Sequence, residues 1–234
     1  MAEIYLVRHG QASFGAKDYD QLSELGKTQC RMLGESMNDY LDKPVLVTGS
    51  LNRHFQSMTS FAEGYGLSPN EPFIELSELN EFDHEDVLHV AFPEFKDRAV
   101  MMSALAKSDE PKKHFHHLFQ SSVQQWVSGE FDDHYIESWP DFKKRVGQGL
   151  TKLRALSRDR LNRGKPLIAF TSGGPISGVV QLAMELNDKA TISLNENLVN
   201  SGVTRLLSSE RKLSVSFVNN YSHLQVKPNL ISYR

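Results

Sequence analysis

Several features are scarce in this chain of 234 residues, and each scarcity excludes a class of protein. Cysteine occurs once, at Cys30, so a disulfide framework is excluded. No apolar run reaches the roughly 18 residues of a membrane-spanning helix. The N-terminal residues lack the basic segment and apolar stretch of a signal peptide. We therefore expect a cytoplasmic protein that does not interact with membranes.

Neither sign of charge dominates the composition. The 26 Lys and Arg residues nearly balance 29 Asp and Glu residues, which gives a formal net charge of −3. A broad basic surface for nucleic acid is not expected from such a balance. Neither an internal repeat nor a low-complexity segment is visible, so a repeat architecture is not expected either.

What the chain does contain is an alternation of apolar strand patterns and helical patterns. Residues of the hydrophobic types make up 39% of the sequence, enough for a substantial core. A loop is predicted over residues 11–22 and an irregular tail over 221–234. Strands are predicted over residues 4–7, 44–48, 73–76, 166–171, 203–207 and 213–218. Helices are predicted over residues 23–41, 50–61, 94–106, 111–128, 138–162 and 175–186. This alternation indicates an α/β fold with a mostly parallel sheet covered on both faces.

The strand alternation is interrupted between residues 83 and 137, where only helical patterns occur. We expect one domain over residues 1–234, with 83–137 as a helical insertion that covers the sheet edge or the mouth of a site. Such an insertion would determine the choice of substrate.

The first strand ends in Arg8, His9 and Gly10. The carboxyl ends of strands in an open α/β sheet are where ligands bind. A guanidinium group offers a rigid fork of donors to phosphate or carboxylate, and an imidazole can act as a nucleophile or carry a proton near neutral pH. Gly10 allows a turn and a close approach by a ligand. This end of the strand is therefore the candidate site.

Six segments in order resemble motifs of the histidine phosphatase superfamily, which includes the cofactor-dependent phosphoglycerate mutases. They are Leu6–Gln11, Leu22–Gln29, Ser50–Ser57, Leu79–Glu81, Glu137–Arg145 and Gly173–Ile176. The resemblance implies a three-layer α/β/α sandwich of the phosphoglycerate mutase type. It also implies a small phosphorylated substrate and neither a metal nor a cofactor. A homodimer is compatible with the sequence.

The resemblance assigns roles to individual residues. His9 would attack phosphorus and carry the phosphoryl group, while Arg8 and Arg53 would hold the phosphoryl oxygens. Glu81 would protonate the leaving oxygen and later activate water, with Glu78 as the second choice. Further phosphate-binding residues are expected at Gln11, Ser172, Gly173 and His223.

One position departs from the family pattern. The family carries a second histidine before its last glycine pair, and this chain has Ser172 there. Serine is expected to cap the helix that Pro175 begins. Loss of one donor to a transition state can slow a reaction by about 10²–10³, so Ser172→His should raise the rate. His223, just after the last strand, is a candidate replacement. His54 is set aside because adjacent helical residues point apart.

These observations favour a metal-independent phosphatase that acts through phosphohistidine on His9, slowed by the serine at position 172. The alternative is a non-catalytic or regulatory protein that binds a phosphoryl ligand. Mutase activity is disfavoured because no second phosphate site is evident.

His114 and His117, in a segment with Lys112 and Lys113, could hold a metal or attract an anionic substrate tail, but a solvated helix face is the favoured interpretation.

Overall fold

A computed structural model describes residues 1–13, 20–68 and 70–233, apart from the side chain of Lys112. Residues 14–19 of the predicted loop over 11–22 lie outside this part. The described residues form a six-stranded sheet in the order β3-β2-β4-β1-β5-β6. Its strands are β1 (Ala2–Arg8), β2 (Val45–Thr48), β3 (Phe73–Glu75), β4 (Leu167–Thr171), β5 (Val203–Ser208) and β6 (Leu213–Asn220). All six match predicted strands.

The sheet is mixed. β4 is parallel to both β1 and β2, and β2 is parallel to β3. β5 runs antiparallel to β1, and β6 runs antiparallel to β5, so β6 again points in the direction of β1. The carboxyl ends of β1, β2, β4 and β6 therefore lie at the same edge of the sheet.

Side chains alternate across the central strands and are buried on both faces. Tyr5 and Val7 of β1 pack in one apolar cluster with residues of α1 and α2, including Leu33 and Phe61. Ile4 and Leu6, on the other face, are fully buried as well. The helices are α1 (Glu24–Asn38), α2 (Asn52–Tyr65), α3 (His84–Ala91), α4 (Arg98–Ala106), α5 (Pro111–Ser128), α6 (Trp139–Leu156), α7 (Gly173–Met184), α8 (Asp188–Asn197) and α9 (Ser222–Gln225). The predicted three-layer α/β/α sandwich is confirmed.

Three helices were not predicted, and α1, α6 and α7 were predicted too long, since α1 ends at Asn38 rather than at residue 41 and α7 at Met184 rather than at residue 186. α3 and α8 are short, and their starts depend on the side chains of Asp83 and Asn187, which accept hydrogen bonds from backbone N–H groups. α9 interrupts the tail that was predicted to be irregular. α6 ends at Leu156, before the predicted end at residue 162.

The chain divides into two compact units, Met1–Glu81 with Val146–Arg234, and Phe82–Arg145. Within the second unit, Phe82, Trp126 and Phe142 form a cluster of aromatic rings. The second unit nearly coincides with the predicted insertion, while its covering of a site stays a prediction. No helix of the described residues is both long and apolar enough to cross a membrane.

Candidate functional site

His9 lies directly beyond β1, and its main chain is fixed on several sides. Its N–H donates to Thr171 O at 2.8 Å, and its own carbonyl accepts from Asn200 Nδ2 at 3.2 Å and from Ser201 N at 3.2 Å. The side chain is only 7% exposed. Nδ1 lies 2.7 Å from the Gly10 carbonyl and donates to it, so the lone pair is on Nε2. The imidazole is therefore oriented as a nucleophile would need to be.

The electrostatic environment keeps this ring neutral. Burial lowers the pKa of His9 well below its usual range, and the positive charges of Arg53 and Arg8, followed by His54, lower it further. A neutral imidazole retains its attacking lone pair at mildly acidic pH. The two guanidinium groups predicted to share a phosphate with His9 are thus near enough to influence its protonation.

Arg8 is buried beside the N-terminus of α7. Its Nη1 donates to the Leu198 carbonyl. A Cβ built on Gly173 would lie 3.8 Å from Arg8 Nε and only 2.2 Å from Asn195 Oδ1. A side chain at position 173 would therefore clash, and glycine allows α7 to begin close to the guanidinium group.

Arg53 lies in the first turn of α2 and is 6% exposed. Its Nη1 donates to Asp20 Oδ1 at 2.7 Å, and the same carboxylate accepts the N–H groups of Asn52 at 2.8 Å and of Arg53 at 3.4 Å. The prediction that Ser50 caps this helix is wrong. Ser50 and Asn80 instead exchange two hydrogen bonds. The first N–H groups of α2 donate to the Asp20 carboxylate, which lies outside the helix.

Glu81 lies at the N-terminus of α7, where its Oε2 accepts the N–H of Gly174 at 3.2 Å. A helix N-terminus stabilises negative charge, whether on a carboxylate or on a phosphoryl group. Glu78, the second choice for the acid, forms an ion pair with Lys152 at 2.5 Å. Glu81 is thus bonded to an element of the candidate site.

Ser172 is fully buried and precedes α7, but its side chain makes no capping hydrogen bond. The predicted cap is therefore wrong, and the helix begins at Gly173 rather than at Pro175. Ser172 Oγ lies 2.6 Å from Nε2 of His54, which is also fully buried. The His54 and His9 ring centroids are 5.9 Å apart. His54, which the sequence argument set aside, thus lies within the candidate site.

His223 follows β6 at the same edge of the sheet, as its strand direction predicted. Its Nε2 lies 2.8 Å from Ser201 Oγ, and Ser201 N donates to the carbonyls of Arg8 and His9. Burial lowers the pKa of His223 to about 4. His223 therefore supports the main chain of the site through Ser201, and its contact with a phosphate stays a prediction.

Gln11 extends from the site toward the start of α1. Its Oε1 accepts the Ser23 hydroxyl at 2.9 Å, and its N–H donates to Gln29 Oε1 at 2.9 Å. Its predicted role in phosphate binding stays a prediction.

Two further residues of the site, Asp20 and Ser57, were missed by the sequence argument. Ser57 Oγ accepts the N–H of Gly10 at 3.1 Å and donates to the Arg53 carbonyl at 2.6 Å, so it connects the residues after β1 with the first turn of α2. Ser57 ends the segment Ser50–Ser57 that resembles a family motif and lies four residues after Arg53, and that spacing could have identified it. Asp20 has no comparable local signal, because its partners lie about thirty residues away in sequence.

Together these residues suit a tetrahedral anion. A neutral imidazole, two guanidinium groups and the N-terminus of α7 lie at one edge of the sheet, with a carboxylate bonded to that helix. Donors of this kind stabilise the charge spread over a transferring phosphoryl group. Across the described ranges, no group of three or more His, Cys, Asp or Glu side chains lies together as metal ligands would.

Comparisons with known proteins agree with this geometry. Residues 4–221 match the model of the histidine phosphatase superfamily, branch 1. A phosphoserine phosphatase mutant from Entamoeba histolytica is 15% identical, with a TM-score of 0.63 over 96% of this chain and 100% of that one. A phosphoglycerate mutase from Bacillus anthracis is 15% identical, with a TM-score of 0.64 over 95% of each chain. A mycobacterial glucosyl-3-phosphoglycerate phosphatase is 16% identical, with a TM-score of 0.60 over 94% of this chain and 99% of that one.

At these identities the solved structures establish the fold alone. Comparison with curated protein sequences found no match. The family model covers nearly the whole chain, from β1 to the residue after β6, and includes Arg8, His9, Arg53, Glu81 and the start of α7, while His223 in α9 lies two residues beyond it. The chain belongs to the histidine phosphatase superfamily, branch 1.

Proposed function

We propose that this protein is a phosphatase that hydrolyses phosphoric monoesters through a phosphohistidine intermediate on His9, without a metal or cofactor. The observation that carries the proposal is the state of the His9 ring. Nδ1 donates to the Gly10 carbonyl, and burial with two nearby guanidinium groups lowers the pKa of the ring. Nε2 is thus available to attack phosphorus.

The reaction then proceeds in two displacements. Nε2 of His9 forms a bond to phosphorus as the ester oxygen leaves, and Glu81 supplies the proton that this oxygen needs. Glu81 next takes a proton from water, which attacks phosphorus and releases inorganic phosphate and His9. Arg8, Arg53 and the α7 N-terminus stabilise the equatorial oxygens in both steps.

A second candidate is a regulatory protein that binds phosphoryl ligands without turnover. Serine at position 172, where the family carries a histidine, favours this candidate. Binding alone requires neither a neutral imidazole nor a carboxylate, so the presence of both His9 and Glu81 favours the enzyme. Mutase activity is supported less well, because we identify no second phosphate site.

The test compares wild type with His9→Ala on p-nitrophenyl phosphate at mildly acidic pH. We expect wild-type turnover that His9→Ala abolishes, and a phosphoryl group on His9 in protein denatured at alkaline pH, where phosphohistidine is stable. Equal activity of both proteins would exclude His9 as the nucleophile. Vanadate binding without turnover would support the binding protein instead. Phosphoserine and glucosyl-3-phosphoglycerate, named for the similar structures, are the first natural esters to assay.

A further inference from the structure

The buried pair of His54 and Ser172 has no role in the two displacements described above. His54 belongs to the first turn of α2, and Ser172 directly precedes α7. Both side chains are fully buried, and their polar atoms lie 2.6 Å apart. Two elements distant in sequence thus meet through one polar contact beside His9, whose ring centroid is 5.9 Å from that of His54.

The space for the His54 ring depends on a glycine. A Cβ on Gly49 would lie 2.3 Å from Nδ1 of His54, so any side chain there would displace the ring. Nδ1 itself has no hydrogen-bond partner among the described residues. A buried polar atom without a partner costs stability, and an apolar residue would fill this space without that cost. Packing alone therefore does not account for an imidazole at position 54.

Ser172 has a hydroxyl group but does not use it as a helix cap. With the His54 proton on Nε2, that nitrogen donates to Ser172 Oγ, and Nδ1 keeps only its unpartnered lone pair. The serine hydroxyl hydrogen is then available for a third group. Ser172 follows Thr171, whose carbonyl accepts the His9 N–H, and it precedes the N-terminus that holds Glu81. Ser172 therefore lies in the chain between the strand end that contacts the proposed nucleophile and the helix N-terminus that is bonded to the proposed acid.

We propose that His54 orients Ser172 so that the serine hydroxyl group donates to an oxygen of the phosphoryl group during transfer, and that this pair supplies the donor that the family places on its second histidine. The inference rests on the proposed function. Ser172 would be the catalytic group because it touches the phosphoryl oxygen, and His54 would be a positioning residue. Burial, and to a smaller extent the charge of Arg53, lowers the pKa of His54 well below its usual range, so the pair would be a neutral donor.

The test is a double-mutant cycle on His54→Leu and Ser172→Ala, with p-nitrophenyl phosphate as substrate and vanadate as a transition-state probe. Each single variant should lower kcat about 10²-fold with little change in KM, because the donor acts mainly in the transition state. The double variant should be no slower than either single variant, since the two residues act as one unit. His54→Gln, which retains an N–H near the position of Nε2, should recover most of the rate.

Unchanged kcat in both single variants would overturn the proposal, as would losses that multiply in the double variant. Equal losses in His54→Gln and His54→Leu would also overturn it, because they would indicate a packing role. Urea unfolding of each variant separates such losses from misfolding. If wild type itself shows no turnover that depends on His9, the proposed phosphatase function fails. The pair is then tested by vanadate affinity alone, where equal weakening in the single and double variants supports it and unchanged affinity overturns it.

Discussion

At the scale of single residues, the ring of His54 occupies space that a larger side chain at position 172 would need. Its Nε2 already lies 2.6 Å from Ser172 Oγ, and Gly49 closes the opposite side of the ring. Both residues are fully buried, so an added imidazole at position 172 must displace the His54 ring. The structure therefore revises the expectation that Ser172→His raises the rate.

We predict that Ser172→His alone lowers both stability and turnover, because overpacking a buried site costs about 1–3 kcal/mol. Combining it with His54→Ala should relieve the crowding and raise kcat at least about tenfold above Ser172→His, consistent with the size of one transition-state donor. The measurements are urea unfolding and p-nitrophenyl phosphate kinetics. A Ser172→His protein faster than wild type would contradict this account.

The central residues of the site were predictable from the sequence because their chemistry is local. Arg8 and His9 follow directly on an apolar strand, and Glu81 completes a short motif. His54 was missed because adjacent residues point apart along the side of a helix, and that rule was applied to a residue at the helix end. At the first turn of α2 two adjacent side chains can both reach a site that lies beyond the helix end. That arrangement depends on tertiary packing, which a local pattern does not contain.

At the scale of elements, α2 depends on a carboxylate from outside the helix. Asp20 accepts the N–H groups of Asn52 and Arg53 and the Nη1 of Arg53. It replaces the cap predicted for Ser50, whose hydroxyl group bonds Asn80. The strands and longer helices were predictable from apolar periodicity, whereas this cap crosses from one segment to another and has no periodic signal.

We predict that Asp20→Ala lowers the free energy of unfolding by about 1 kcal/mol, the usual value of an N-terminal cap. Urea unfolding at pH 7 measures the change. Glu210→Ala is the matched control, because Glu210 is an exposed acid in the turn between β5 and β6. Equal effects of the two substitutions would show that Asp20 contributes only surface charge.

At the scale of the whole molecule, buried histidines make stability depend on pH. Burial lowers the pKa of His9, His54 and His223, the last to about 4 from an ordinary 6.5. Between these values the unfolded chain binds protons that the folded chain does not, so stability falls as the pH decreases. Above pH 6.5 the histidines of the unfolded chain no longer bind protons, so this destabilisation of the folded state disappears.

We predict that His223 alone accounts for a loss of about 2 kcal/mol in unfolding free energy between pH 7 and pH 5. His223→Gln should therefore show a smaller difference between the two pH values than wild type does. His116→Gln, at an exposed histidine of α5, should retain the wild-type difference. The measurement is urea unfolding at both pH values, and an unchanged difference in His223→Gln would refute the prediction.

The single cysteine of the chain has a consequence of its own. Cys30 of α1 is fully buried, its thiol is within hydrogen-bonding reach of Ser57 and of the main chain of Gly10, and burial raises its pKa to about 11. A reagent that needs a thiolate can reach the Cys30 sulfur only when the packing around α1 opens. The rate at which Cys30 is alkylated therefore measures how often the structure around the candidate site opens, without an engineered label.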